Sequence, residues 1–244
     1  MRRDAGTTLI EVLIAVTLLS LLSVGMVTAM RVGLLAFSKT DNKLMENRRV
    51  AGAQRVVQEQ LEGMMPVVAA CGDAPGPTPP KTAFFEGQPQ TMRLVSTFSL
   101  QQGWRGLPQI LELFVIPGED SRGVRLVVNE IPYTGPDGMA LLCTGHARDP
   151  LTGASLPVFA PVEAGPNSFV LADKLAYCRF SYFTIPLDRN VAPHWTPDWN
   201  VSGWPFAVRI EMAPLEPDAS RLQPIAVTAP IHLHRSPEIQ YVDY

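Results

Sequence analysis

The sequence predicts an α+β fold: one long N-terminal membrane-spanning helix followed by an antiparallel β-sheet globular domain. All 23 prolines of the 244 residues lie at or beyond Pro66. Because proline breaks helix interiors, the first 65 residues can form one uninterrupted helix and the remainder cannot. Beyond residue 80, short apolar runs alternate with polar residues between Gly, Pro and Asn/Asp turns, which is typical of β-strands.

The N-terminal helix begins as a membrane segment. Residues 12–30 carry no charge and span about 28 Å as a helix, enough to cross the hydrocarbon core of a bilayer. Arg2 and Arg3 precede this run, so the positive-inside rule keeps the N-terminus in the cytoplasm. Glu11 lies at its edge, and a carboxylate in the apolar part of a spanning helix costs roughly 2.5–3.5 kcal/mol on insertion scales. We therefore expect Glu11 to have a partner.

Two other interpretations of this segment stay open. A cleaved secretory signal has an apolar region of roughly 7–15 residues, which is shorter than the run found here. A plain signal anchor explains the length and the basic flank, but it leaves Glu11 unexplained.

After Arg31 the pattern becomes amphipathic, which predicts a helix that packs one face on a domain. The apolar positions are Phe37, Leu44, Val57, Leu61 and Met64. Residues 72–80 are too rich in Gly and Pro for regular structure and form a connector. The predicted organisation is a leader at residues 1–6, a membrane and assembly segment at 7–33, an amphipathic continuation at 34–65, and a β-rich domain at 66–244.

Six strands are predicted within the β-rich domain, at residues 92–98, 110–116, 124–131, 175–184, 206–212 and 225–233. Proline-rich stretches at 157–166 and 186–205 are predicted loops. About 200 residues after the anchor suffice for one domain with its own core.

Candidate sites of catalysis or ligand binding are few. His232 and His234 have ligand-like spacing on a strand, yet no acid or cysteine stands beside them, so a polar strand edge is favoured over a metal. Calcium binding at Glu119, Asp120 or Asp188 stays open, since no ligand loop is visible. Trp195, Trp199 and Trp204, with His194, form either a contact surface or a cap on the sheet. This cluster identifies no substrate.

Enzymes and nucleic-acid-binding proteins are not favoured. There is no Gly-x-Ser-x-Gly elbow and no Gly-rich phosphate loop after a strand. The net charge is −3, and the basic residues Arg48, Arg49 and Arg55 are interleaved with Glu46 and Glu59, as on a solvated helix face. A nucleic-acid-binding domain would present a clustered basic face.

The N-terminus resembles that of type IV prepilins and pseudopilins, whose usual pattern is Gly, Phe, Thr, Leu, Ile/Leu, Glu. Here Gly6 is followed by Thr7-Thr8-Leu9-Ile10-Glu11, with Thr7 where the family usually has Phe. The resemblance implies that a membrane-embedded prepilin peptidase cuts after Gly6 and N-methylates Thr7. It also implies that Glu11 pairs with the N-terminal amine of a neighbouring subunit during assembly.

A second pattern resembles the J-type minor pseudopilins of type II secretion systems. In that group a strand of the form Arg-Phe-x-Tyr, here residues 179–182, precedes a Trp and then Leu-Pro-x-Ala-Val, here residues 204–208 with Trp204 in place of Leu. The resemblance implies a non-enzymatic subunit without cofactors in the inner membrane, with its domain in the periplasm. Its partners would be other minor pseudopilins and the major pseudopilin, in the tip complex that initiates the pseudopilus and supports protein export.

Two further functional classes remain as alternatives. A minor type IV pilin that primes pilus assembly would share the N-terminal motif. A periplasmic enzyme or binding domain on an uncleaved signal anchor would share only the apolar helix.

Three cysteines, Cys71, Cys143 and Cys178, would lie in an extracytoplasmic compartment where disulfides persist. Cys71 follows the helix and Cys143 precedes a Thr-Gly turn, so both lie near element ends where two segments of chain can approach each other. Cys178 lies in an alternating aromatic strand and is predicted to be buried. A Cys71 to Cys143 disulfide is one hypothesis, and three small buried apolar side chains is the other.

Overall fold

A computed structural model describes residues 9–72, 81–100, 104–148, 153, 155–186, 190–215 and 225–231, with the backbone alone for residues 36–51, 104, 105 and 225. The chain divides into two compact units, residues 1–48 and 49–244. One α-helix, α1, runs from Leu9 to Glu62 in the described part of the chain. The strands are β1 (Met64–Met65), β2 (Val68–Ala70), β3 (Lys81–Ala83), β4 (Glu86–Gly87), β5 (Thr91–Ser99), β6 (Trp104–Pro117), β7 (Val124–Pro132), β8 (Cys143–Arg148), β9 (Ser155–Phe159), β10 (Phe169–Thr184), β11 (His194–Thr196), β12 (Ala207–Pro214) and β13 (Ile225–Pro230). The observed class is the predicted α+β class.

The last part of α1, from residue 49, belongs to the second unit and packs in its core through one face. Ala53, Val57 and Leu61 are buried at four-residue spacing, as expected for an amphipathic helix. Arg55 lies on the opposite face and is exposed. The predicted amphipathic pattern therefore holds at Val57 and Leu61, whereas the side chains of Phe37 and Leu44 lie outside the described part of the chain.

The helix ends three residues earlier than its predicted end at residue 65. The Gly63 N–H donates to the Glu59 carbonyl, which completes the last turn. Met64 and Met65 then pair with Ser96 and Val95 as the short strand β1. A side chain at Gly63 would place its Cβ 2.9 Å from the Ser96 hydroxyl, so a small residue permits this close junction of helix and sheet.

An antiparallel sheet of nine strands forms the centre of the second unit. Its order is β1-β5-β6-β7-β10-β12-β13, with β4 paired to β5 and β11 paired to β10. The six predicted strands correspond to β5, β6, β7, β10, β12 and β13. Two separate two-stranded sheets, β2-β3 and β8-β9, complete the described strands.

The two faces of the central sheet bury different sets of residues. On the helix face, Leu94, Leu111 and Leu126 pack in one cluster with Val57 and Leu61 of α1. On the opposite face, which we call the hairpin face, a second cluster joins the sheet to β2-β3 and β8-β9. Its residues are Val67, Ala69, Cys71, Phe84, Val95, Ile110, Met139 and Cys143.

The predicted loops at 157–166 and 186–205 are wrong where they contain strands. Pro157 lies inside β9, opposite His146 of β8. A proline fits there because β9 pairs on one side only, so the missing N–H removes no ladder bond on the other side. In the second loop, β11 pairs with the end of β10.

Strand β10 begins six residues before its predicted start at residue 175. Its first half pairs with β7 and its second half with β12. Between the halves, Lys174 has φ of 54° and the register shifts between Ala172 and Leu175. The polar Asp173-Lys174 pair resembles a turn in sequence, but here it forms the bulge that lets one strand serve two neighbours.

Candidate functional site

The first part of α1 presents an exposed apolar surface. Leu9–Leu35 is long and apolar enough to cross a membrane, with mean hydropathy 2.4, and none of it is buried. Its large apolar side chains are 51–87 % exposed; Ile14 is the least exposed of them and Leu9 the most exposed. A contiguous apolar surface of this size marks a membrane or protein contact.

The uncharged polar side chains of this segment are satisfied within the helix. The hydroxyl of Thr17 donates to the Ile14 carbonyl at 2.9 Å, and that of Ser20 donates to the Val16 carbonyl at 2.7 Å. Ser23 and Thr28 bond to carbonyls of the preceding turn in the same way. These four side chains therefore need no partner outside the helix to lie in lipid.

Glu11 differs from the hydroxyl-bearing residues of the same segment. It lies in the first turn of α1 and is exposed. A carboxylate in the first turn is favoured by the helix dipole, by typically 0.3–1 kcal/mol, which is less than the roughly 2.5–3.5 kcal/mol cost of placing it at the centre of the bilayer. The predicted processing residues Gly6 and Thr7 lie outside the described residues.

Cys71 and Cys143 are joined by a disulfide with a Cα–Cα distance of 4.9 Å. Cys71 follows β2 and Cys143 opens β8, so the bond ties the segment after the helix to the hairpin face. The Gly72 N–H donates to the Cys143 carbonyl at 3.1 Å beside it. Cys178 is a buried free thiol, and burial raises the pKa of that thiol to about 12.

A buried ion-pair network, which the sequence pattern did not predict, lies on the hairpin face. Arg93 on β5, Glu112 on β6 and Asn129 on β7 are direct neighbours across three strands. Arg93 is fully buried; its Nε donates to Glu112 Oε1 at 2.9 Å and its Nη1 to Glu86 Oε2 at 2.6 Å. Its guanidinium also lies 5.2 Å from the Phe159 ring centroid.

The network extends to the loop between β9 and β10. Arg93 donates to the Ala160 carbonyl at 2.9 Å, and Asn129 Nδ2 donates both to Glu112 and to the Glu163 carbonyl. The Ser168 hydroxyl donates to Asn129 at 2.6 Å. These bonds hold the loop against the sheet, so the network positions segments rather than a reacting group.

The three tryptophans do not form one surface. Trp204 is buried in the core on the helix face, and Trp199 packs at right angles to Phe85. Trp195 instead stacks on the outer surface of the sheet, with the Arg209 guanidinium 4.0 Å from its ring centroid. The cap interpretation fits Trp199 and Trp204, whereas Trp195 with the exposed His194 is a surface feature.

Of the calcium candidates, Glu119 is paired, Asp120 is exposed in the turn at residues 119–121, and Asp188 lies outside the described residues. Glu119 pairs with Arg125, which also binds Asp173 at 2.8 Å. The hydrogen bonds from Arg125 hold the pKa of Asp173 below its ordinary value. Within the described ranges, no group of three His, Cys, Asp or Glu side chains is placed to hold a metal ion. Asp188, His232 and His234 lie outside those ranges.

Comparison with known proteins bears on the N-terminus. No curated protein matches the chain in sequence. A family model, the prokaryotic N-terminal methylation motif, matches residues 1–27. That range ends within the exposed apolar helix and includes Gly6, Thr7 and Glu11. The chain therefore carries, at its N-terminus, the motif of the type IV prepilin-like superfamily.

Proposed function

We propose that the chain is a minor pseudopilin of a type II secretion system, of the J type. The observation that carries this proposal is the N-terminal methylation motif continuing into an exposed apolar helix that starts with a single carboxylate, Glu11. In this proposal the subunit is anchored in the inner membrane with its β domain in the periplasm. It acts by assembly and has no catalytic centre or cofactor.

Maturation generates the partner that Glu11 needs. Cleavage after Gly6 by prepilin peptidase makes Thr7 the new N-terminus, and Glu11 becomes the fifth residue of the mature chain. A carboxylate and an ammonium attract strongly in a low-dielectric medium, whereas either alone is disfavoured there. Pairing Glu11 with the methylated amine of an adjacent subunit therefore favours one axial stagger between packed helices.

The rest of the helix surface fits association by packing. Because lipid tails are as apolar as leucine, helices associate in a membrane through close packing and interhelical polar contacts. The hydroxyls of Thr17, Ser20 and Thr28 already donate to carbonyls of their own helix. These small residues therefore let a second helix approach closely and do not require a hydrogen bond from it. Glu11 is then the residue that selects the stagger, and the β domain selects the neighbouring subunits.

The J-type assignment is supported by residues in two paired strands. The Arg179 to Tyr182 segment lies in β10 opposite residues 208–211 of β12. Trp204, at the position where the resemblance expects leucine, is 5 % exposed and packs in the core. A buried apolar residue at that position agrees with the pattern, although tryptophan is larger than leucine.

The first test is the chemistry of the N-terminus. Co-expression with a prepilin peptidase is expected to give a chain that begins with N-methyl-Thr7 and lacks residues 1–6, read by intact mass and N-terminal peptide mapping. Gly6→Val is expected to stay uncut, while the neighbouring change Ala5→Val is still processed. An N-terminus that stays intact with active peptidase would contradict the proposal and favour a signal-anchored periplasmic protein.

The second test separates anchoring from assembly. Glu11→Leu is expected to leave membrane insertion intact, because it removes a charge from the apolar segment. Co-purification of full-length partner pseudopilins should fall roughly tenfold or more, equivalent to about 1.4 kcal/mol or more of association free energy.

Thr17→Val is the matched control, since the Thr17 hydroxyl bonds only to its own helix in the described structure. Unchanged co-purification after Glu11→Leu would remove Glu11 as the residue that sets the stagger. Co-purification with type IV pilins in place of type II pseudopilins would instead identify a minor type IV pilin.

A further inference from the structure

A cleft of about 280 Å³ opens on the second unit between β4, β9 and residues 199–203. Its lining residues include the aromatic residues Phe85, Phe159 and Trp199 and the aliphatic residues Val158 and Val201. Val158 is 40 % exposed and Val201 47 % exposed. An apolar wall that stays open to solvent can receive the stem of a side chain from another molecule.

Glu86 also lines this cleft, and its side chain is 11 % exposed. One oxygen accepts from Arg93 Nη1 and the other from Gln88 Nε2. A carboxylate has about four lone-pair sites, so these two bonds leave acceptor capacity at each oxygen. The Glu86 carboxylate, which lies mostly in the interior, therefore keeps acceptor capacity beyond its bonds to the described residues.

The charge of this network is not balanced. Among the described residues, the Arg93 guanidinium is the cation that contacts Glu86, and it also contacts Glu112. Two carboxylates share one guanidinium, which leaves a formal charge of −1 beside the cleft. Burial raises the pKa of Glu86, Arg93 lowers it, and Glu112 raises it, so the environment resists the second negative charge.

We propose that this cleft binds a lysine side chain presented by a partner protein, with the alkyl stem against the apolar wall and the ammonium on the Glu86 carboxylate. An added cation neutralises the excess charge of the network. An aromatic ring such as that of Trp199, which lines the cleft, can also attract an ammonium within about 6 Å of its centroid. The proposal concerns the second unit alone and does not depend on the assembly role of the N-terminal helix.

Lysine fits better than arginine for a geometric reason. A guanidinium binds a carboxylate best as a planar fork that uses both oxygens together. Here Oε1 and Oε2 of Glu86 already accept from Gln88 and Arg93, which obstructs that arrangement. An ammonium is a compact point charge and can use a single remaining lone pair.

The binding test uses Nα-acetyl-lysine methylamide as the probe and the full-length chain in detergent micelles. The indole N–H resonance of Trp199, assigned with a Trp199→Phe variant, is followed in a titration. We expect a saturable shift with a Kd of roughly 1–10 mM, in the range of a single-side-chain ligand. Trp195, outside the cleft, should not shift and provides an internal reference.

Control experiments separate the contribution of the ammonium charge to binding from that of the alkyl stem. The Nε-acetylated probe keeps the stem without the charge and should bind at least about tenfold more weakly, as expected for loss of a charge-assisted hydrogen bond. Glu86→Gln should weaken the lysine probe by a similar factor. Glu211→Gln removes an exposed carboxylate elsewhere on the sheet and should have no effect. Equal binding of the two probes, or unchanged binding to Glu86→Gln, would overturn the proposal.

An occlusion variant keeps the test decisive if Glu86→Gln does not fold. Ser202 is an exposed residue that lines the cleft, and Ser202→Phe is expected to fill the cleft while every residue of the ion-pair network is kept. This variant should lose the Trp199 response to the lysine probe. A retained response, or no saturable response of the unmodified chain at about ten times the expected Kd, would show that the cleft is not a lysine site.

Discussion

Replacing Arg93 with methionine is expected to destabilise the second unit by about 3–5 kcal/mol, the typical cost of removing one partner from a buried ion pair. Arg93 is fully buried and contacts Glu112 at 2.8 Å and Glu86 at 2.6 Å. Methionine fills part of the volume but supplies no charge. Both carboxylates would then lie in the interior without a cation, and the Ala160 carbonyl would lose its donor.

The stability lost in the Arg93→Met variant should depend on pH, and the electrostatics of Glu86 give the direction. Burial raises the pKa of Glu86, and Arg93 opposes this effect, so removing Arg93 raises that pKa further. A carboxyl group whose pKa is raised in the folded state binds its proton more tightly when folded than when unfolded. Stability of the variant should therefore rise as pH falls from neutral towards the unfolded pKa of about 4.3. The difference from the unmodified chain should narrow over the same window.

Equilibrium unfolding of the full-length chain in micelles provides the measurement. All four tryptophans lie in the second unit, so their fluorescence reports its unfolding. The melting temperature should fall by roughly 6–20 °C for a unit of this size. Glu86→Gln is the matched control and should cost much less, because an uncharged side chain avoids the burial penalty that Glu86 bears. An Arg93→Met variant as stable as Glu86→Gln would contradict a structural role for the ion pair.

Arg93 also shows where prediction from sequence stops. Arg93 lies between Met92 and Leu94, and Glu112 lies between Leu111 and Leu113, so strict alternation places both on a solvent-facing side. Strands β5 and β7 were predicted to within one residue at each end, because alternation depends only on neighbouring residues, whereas β6 begins six residues before its predicted start. Burial of the polar face depends on β2-β3 and β8-β9, which cover it from distant parts of the chain. Pairing between distant segments leaves no local pattern.

The N-terminal segment was more predictable because its properties are local. Length, hydropathy and the position of Glu11 are read directly from consecutive residues, and the motif match covers the same stretch. By contrast, β9 was hidden by Pro157 and the start of β10 by Asp173 and Lys174. Those residues are typical of turns, and the structure accommodates them at an edge strand and at a bulge.

Removing the disulfide by the double change Cys71→Ala and Cys143→Ala is expected to cost about 2–5 kcal/mol, with about 4 kcal/mol given by the chain-entropy model for a sequence separation of 72 residues. The two chain segments that the disulfide joins lie very close together. Gly72 has φ of 67°, and a Cβ there would lie 2.8 Å from Gly145 Cα. Alkylation of the denatured, non-reduced chain should label one thiol, that of Cys178, and three after reduction. Three labels without reduction, or a double variant that unfolds at the same urea concentration as the unmodified chain, would contradict the bond or its role in stability.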